Sequence, residues 1–386
     1  MRSPVRVGVI AGFALTLLVA CGAQPPSAQA EVPLAATQDA LLPYYGSYTT
    51  DAGDIVVIAR MGWFADLRDA TYRTIYATGS PDHFTIGRRF EEPLPKFADL
   101  VLSPGSLTIT EGPRKATAHR IAYQHTDVRI PAAGAQLAGT ITEPLGAGPH
   151  PGIVVVHGSE PGQRFFYDFW VGTYTSMGLT VLTYDKRGNG SSTGTYPGEF
   201  PSAEALQTYA DDAAVARDFL ARWPGVDPKR VGLHGGSQGG WTVPLAMQRH
   251  LGAAFAVLVS APATTVDQTD LWSSFSGGGA SMPTQTNDEM LAAVRGNHSG
   301  YDPAPAVRAL SVPTLWLLGT NDRTVPTALC VEILTALHKA NFTIQMLPTG
   351  HGLLVNPTGL NAEDKTSPGL APDLVPTLKD WISRLA

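Results

Sequence analysis

Residues 231–240 read Val-Gly-Leu-His-Gly-Gly-Ser-Gln-Gly-Gly, an apolar strand end that runs into Gly-x-Ser-x-Gly and then into a helix-compatible stretch. Alone the pattern is weak in a chain with 40 glycines, and it gains its meaning from the context that agrees with it. A serine on so sharp a strand-to-helix turn needs small residues two before and two after it, here Gly235 and Gly239, so that the backbone can pass. The turn lifts the serine oxygen clear of the sheet, and the N-terminus of the following helix favours negative charge developing there. The pattern therefore predicts a buried strand feeding a buried helix, with Ser237 as candidate nucleophile.

The surrounding periodicity agrees. From 126 to 386, apolar runs at 136–141, 152–156, 180–184, 230–234, 254–259, 314–318 and 343–347 alternate with helical stretches at 166–177, 203–222, 239–250, 327–340 and 373–385. Such alternation predicts an α/β fold around a mostly parallel, doubly wound sheet. Residues 262–311 break the pattern with Gly277-Gly278-Gly279 and two helix-like pieces, which reads as a lid-like insertion after the sixth strand. From 41 to 125 the chain has short β-like runs (55–59, 63–68, 72–76, 83–88 and 106–110) punctuated by Gly, Pro and Asp. They predict a small β-rich, antiparallel domain, serving either as a packing partner for the α/β domain or as a wall of its cleft.

Before these domains lies a segment of a different kind. Arg2 and Arg6 precede an apolar run over 7–20 that is too short for a standard membrane-spanning helix, the pattern of a signal peptide over 1–20. It ends in Leu18-Val19-Ala20-Cys21, which resembles a bacterial lipobox, a signal whose cysteine is lipidated and becomes the first mature residue. The alternative is a secretory signal cut after Ala28 or Ala30, with Cys21 incidental. Either way the mature protein is expected outside the cytoplasm, in the cell envelope or secreted, with 21–40 as a flexible tether. Once Cys21 carries lipid only Cys330 remains, so no internal disulfide is possible; Cys330 sits in an apolar helical stretch and reads as a packing thiol.

Composition removes several function classes. A net charge of −6 gives no basic footprint for nucleic acid. The ten histidines are dispersed, no HExxH or CxxC pattern occurs, and no Gly-Lys-Ser/Thr follows the glycine-rich turns. Neither a metal nor another cofactor is expected.

Two further motifs join the serine turn: Pro151 through Val156 followed by His157-Gly158-Ser159-Glu160-Pro161, and Tyr184-Asp185-Lys186-Arg187-Gly188-Asn189-Gly190-Ser191-Ser192. In this order they resemble the α/β-hydrolase superfamily, in particular a bacterial subgroup reading HGSGP and then YDKRG, over about two thirds of the chain. The resemblance implies a serine hydrolase with triad order Ser, acid, His. Ser237 takes the first place. Asp322, in the loop after the strand at 314–318, takes the second, and His351, flanked by Gly350 and Gly352 after the strand at 343–347, takes the third. An acid at the carboxyl end of a parallel strand can orient the histidine, whose neutral form serves as base near pH 7. Asp185 is the competing acid, although in the resembling families this position shapes a loop; His157 and His234 read as structural.

The oxyanion hole is expected from the backbone N–H groups of Gln238 and Ser159. Here the chain departs from the subgroup, because Glu160 replaces a glycine. A carboxylate aimed inward raises the barrier for an oxyanion; aimed outward it is harmless, and it can also bind a cationic part of a substrate. Trp272 and Phe275 in the insertion are either acyl-pocket or core residues. The whole predicts an exported, lipid-anchored serine hydrolase acting on a small-molecule ester. Two alternatives stay open: a short-peptide or amide hydrolase, and a non-catalytic binding lipoprotein, for which Glu160 is the best support.

Overall fold

The alternation of the N-terminal part closes on itself. In the computed structural model, which describes residues 33–198, 202–250 and 252–385, a single turn of helix α1 (Gln38–Leu41) precedes a closed antiparallel barrel of eight strands. They are β1 (Gly46–Thr50), β2 (Ile55–Ala59), β3 (Trp63–Asp66), β4 (Thr71–Ala77), β5 (His83–Gly87), β6 (Lys96–Leu102), β7 (Ser106–Glu111) and β8 (Arg114–Arg120), each paired with the next, and β8 with β1. Successive side chains point to opposite faces of a strand. On β2, Val56 and Ile58 therefore enter the barrel core with Tyr48, Phe64, Ile75, Phe84, Leu100 and Leu107, while Val57 faces out. Closure leaves no unpaired edge, which is how so small a β unit avoids templating aggregation.

The rest of the chain forms an eight-stranded mixed sheet in the order β16-β15-β14-β13-β11-β12-β10-β9. β9 (Gln124–Ala132) and β10 (Ala135–Glu143) make an antiparallel hairpin at one edge. β11 (His150–Val156), β12 (Thr180–Tyr184), β13 (Val226–Gly236), β14 (Ala256–Val259), β15 (Thr314–Gly319) and β16 (Phe342–Leu347) run parallel. Both faces are covered, as parallel strands require. Val154, Val156, Leu258 and Trp316 pack on one side with α3 (Ala203–Ala221), α4 (Gly239–Arg249) and α8 (Thr327–Ala336). Ile153, Val155, Val257 and Leu317 pack on the other with α2 (Asp168–Ser176) and α10 (Leu374–Ser383).

The barrel docks on this second face. Its outward residues Val57, Ala65, Leu67, Ala70, Tyr72 and Phe90 share one apolar cluster with Phe169 of α2 and with the chain after β16. A largely buried ion pair fixes the junction: Arg60 Nε and Nη2 donate to Asp168 Oδ2 and Oδ1 at 2.9 and 2.7 Å, and the Arg60 N–H adds a bond of 3.0 Å. The segment beyond β16, which includes α9 (Asn361–Lys365), is stitched to the barrel as well. Phe90 N–H donates to Ser367 O, Glu91 N–H to Lys365 O, and Leu370 N–H donates to Ala70 O.

Several expectations are revised. Strands β1, β6, β8 and β9 were not anticipated, and the helix expected over 327–340 ends at Ala336, beyond which His338 adopts a left-handed φ of +47°. The helix expected over 166–177 opens with a 3-10 turn at Arg164–Tyr167. The expected tether is packed from 33 onward, since Ala36 and Leu41 are buried and Ala35 bridges Tyr76. The signal segment and Cys21 lie outside the described residues.

The insertion between β14 and β15 carries α5 (Val266–Phe275), α6 (Asn287–Arg295) and α7 (Ala304–Ala309). Trp272, Met290, Leu291 and Val294 form a small core of their own against Leu329 of α8, with Phe275 alongside. Trp272 and Phe275 are thus core residues of the insertion, not free acyl-pocket walls.

Candidate active site

Ser237 stands between β13 and α4 with a φ of +49°, a left-handed conformation that is strained for any residue with a side chain. The surrounding glycines make the turn possible: a Cβ on Gly235 would lie 2.8 Å from the Gly239 carbonyl oxygen. The Ser237 N–H donates to Val259 O at 3.0 Å, tying the turn to the end of β14. Its side chain is partly accessible, and the α4 N-terminus follows at once.

The Asp322 loop follows β15. The carboxylate is fully buried, and its Oδ1 accepts the Thr324 and Val325 N–H groups, each at 2.8 Å. Its Oδ2 lies 2.8 Å from His351 Nδ1. The insertion holds this loop from outside: Trp272 Nε1 donates to Asp322 O at 3.2 Å, and Ser276 Oγ donates to Arg323 O.

His351 follows β16 and is partly accessible. Ser260, next to the Val259 that holds Ser237, donates from Oγ to His351 O at 2.7 Å. The Ser237 turn and the histidine loop are thus fastened to consecutive residues at the end of β14. Burial disfavours the imidazolium, but the Asp322 charge and hydrogen bond, with a smaller contribution from Asp364, outweigh it and raise the His351 pKa above the ordinary value.

Asp185, the competing acid, is spent on its own loop. It accepts the Arg164 and Ser191 N–H groups at 2.8 Å each and the Arg164 guanidinium at 3.0 Å. His234 is buried against Tyr174 and Trp170, and burial pushes its pKa down to about 3. It remains neutral and structural. Cys330 is buried too, its Sγ accepting the Ala263 N–H, and burial pushes the thiol up to about 11.

Lys186 was quoted in the motif but given no role. Its buried ammonium donates to Gly158 O at 2.7 Å, Ser159 O at 3.4 Å, Glu160 O at 3.2 Å and Gln238 Oε1 at 3.2 Å, with the Tyr209 ring 4.3 Å away. A single cation thereby clamps the loop of Ser159 to Gln238, the residue after Ser237, and its burial is offset by these carbonyl oxygens. Among the described residues no acceptor takes the Ser159 N–H. Arg187, next in sequence, is locked to Asp212 of α3 by a buried two-pronged pair at 2.7 and 2.5 Å. A lysine inside a run of turn residues was the available signal; its aim depends on two loops distant in sequence.

Residues 166–356, just under half of the chain, match the Prolyl oligopeptidase family, and the match takes in Ser237, Asp322 and His351. A thiohydrolase from Aspergillus aculeatus, aneE, is 31% identical over 98 residues, 25% of this chain and 30% of that protein. The uncharacterized Mycobacterium tuberculosis protein Rv2307c is 26% identical over 219 residues, covering 56% of this chain and 69% of its own length. Among solved structures, the esterase Pf2001 of Pyrococcus furiosus superposes with a TM-score of 0.50 at 14% identity, over 68% of this chain and 92% of that one. Family match and fold are both similar to those of hydrolases of the α/β-hydrolase superfamily.

Proposed function

We propose that the protein is a serine hydrolase that cleaves carboxylic esters through an acyl-enzyme on Ser237. One observation carries the reading: a serine held at φ +49° on a strand-to-helix turn shares its anchoring strand end with a histidine hydrogen-bonded to a buried aspartate. Ser237 Oγ attacks the acyl carbon while its proton passes to His351 Nε2. Asp322 keeps His351 protonated on Nδ1 and stabilises the imidazolium that forms. The tetrahedral oxyanion is received by the N–H groups of Ser159 and Gln238, each such donor contributing about 3 kcal/mol to lowering the barrier. The leaving alkoxide takes the proton from His351, and a water activated by the same base then releases the acid.

Esters are favoured because the N-terminal unit is a closed barrel around its own core, whereas peptidases of this fold usually carry a multi-bladed propeller that selects by size. The family match favours a second reading, hydrolysis of short peptides or amides at the same serine. Export is part of the proposal, carried by Arg2, Arg6, the apolar run after them and the lipobox-like Leu18-Val19-Ala20-Cys21. Radiolabelled palmitate incorporated by the full chain and lost in C21A would support the anchor.

The test of the chemistry is a fluorophosphonate adduct located by mass spectrometry. Labelling of Ser237 that vanishes in H351A is expected. A folded protein that stays unlabelled would return weight to the binding-lipoprotein reading.

A further inference from the structure

Glu160 is not directed away from the nucleophile. A Cβ placed on Gly158 would lie 2.6 Å from Glu160 Oε2 and 3.6 Å from the Ser237 Cβ, so the carboxylate and the Ser237 side chain border the same methyl-sized space. The carboxylate is held there. Tyr167 donates its hydroxyl to Oε1 and accepts the Gly158 N–H at 3.0 Å, and His157 Nδ1 lies 3.4 Å from Oε1 on the other side. The other oxygen, Oε2, accepts no hydrogen bond among the described residues, and the side chain is about a third exposed. Burial alone would raise the carboxyl pKa, yet His157, Tyr167 and the Lys186 charge together hold it down at about 2. None of these partners closes the open oxygen. The Tyr167 hydroxyl is committed to Oε1, and the Lys186 ammonium is directed at carbonyl oxygens.

An anion so placed opposes the oxyanion that must form beside it, unless the substrate brings a positive charge into the same space. We propose that Glu160 makes this site selective for esters carrying a cation close to the scissile carbonyl, with Oε2 as the acceptor for that charge. The inference rests on the reading of Ser237 as the nucleophile. Glu160 takes no part in the bond changes: Ser237 Oγ still forms the acyl bond, His351 still carries the proton, and the ester oxygen still leaves. What Glu160 supplies is discrimination, rejecting neutral esters by the same charge that admits cationic ones.

The experiment compares isosteric pairs on the full-length protein. One pair places the charge in the acyl group, 4-nitrophenyl 4-(trimethylammonio)butyrate against 4-nitrophenyl 5,5-dimethylhexanoate. The other places it in the leaving group, acetylthiocholine against 3,3-dimethylbutyl thioacetate. The wild type should prefer the cationic member of at least one pair by about tenfold or more in kcat/KM, and added salt should weaken the preference. The pair showing it says on which side of the carbonyl the charge binds. E160Q, which keeps an acceptor for Tyr167, should bring the ratio to about one, chiefly by raising turnover of the neutral ester. A preference absent from both pairs, or undiminished in E160Q, would overturn the inference while leaving the nucleophile untouched. An unlabelled Ser237 would instead defeat the underlying reading. Should E160Q fail to fold, butylammonium protection of wild-type Ser237 against a fluorophosphonate decides the matter: protection stronger than by 1-butanol supports the site, and equal protection overturns it.

Discussion

The two β units contain eight strands each and use them in opposite ways. The barrel pairs every strand with two neighbours and fills its centre with its own side chains. The open sheet instead ends in loops, and there the backbone is forced. Among the described residues, three of the five non-glycine residues at positive φ, Ser237, Ser260 and Leu353, lie at the carboxyl ends of β13 and β14 and just after His351. The barrel contains only one, Ala70, and it stands where the barrel grips the chain after β16, its carbonyl accepting the Leu370 N–H. Closure turns its strands onto a core of their own; openness concentrates backbone strain at one rim, where strain is expected to mark function.

The contrast can be broken from the rim first. S237A should lower kcat by a factor on the order of 10³ to 10⁶ in an ester assay while the melting temperature barely moves. Next, D322N should cost about 10³- to 10⁴-fold, through the wrong tautomer. It should also shift the acid limb of the pH–rate profile. In the native protein the raised His351 pKa places the midpoint above the ordinary histidine value of about 6.5, because activity is lost as the base protonates, and removing the Asp322 charge should move that midpoint down. On the stability side the sign is the reverse: the ion pair contributes fully below the unfolded pKa and fades as pH rises through the folded one.

The barrel gives smaller effects. D168A leaves Arg60 without its carboxylate at the junction and should cost about 3–5 kcal/mol by denaturant unfolding, with turnover of the remaining folded protein reduced far less than in D322N. Smallest of all, A70G relieves a φ of +60° and should change stability by about 1 kcal/mol or less, in the stabilising direction. A large activity loss in either variant would show that the barrel tunes the rim as well as supporting it.

The sheet was readable because parallel strands buried on both faces appear as continuous apolar runs, as at Ile153–Val156 within β11 and Leu315–Leu318 within β15. Three of the barrel's eight strands were not. β8, Arg-Lys-Ala-Thr-Ala-His-Arg, points only Ala118 into the core and reads as loop; β1, Gly-Ser-Tyr-Thr-Thr, is nearly as polar, β6 has Lys96 and Asp99 set into its apolar run, and closure itself is a relation between residues 48 and 120. The rim divides in the same manner. Ser237, Asp322 and His351 stand beside glycines or at strand ends, where sequence shows them. The grip of Lys186 on two loops, the support of Trp272 beneath Asp322 and the aim of Glu160 through Tyr167 are meetings in space between segments whose local composition says nothing of one another.

The stitching of residues 365–370 to Phe90, Glu91 and Ala70 means that the two units are not interchangeable modules. A chain cut before β9 would still encode every motif, yet the backbone that follows His351 would lose its hydrogen-bond partners and α2 would show Phe169 to water. Recombination that exchanged the barrel for a foreign domain would have to reproduce that seam before it could inherit the chemistry. The heritable unit is therefore barrel and open sheet together, and shuffling libraries should not draw a boundary between them.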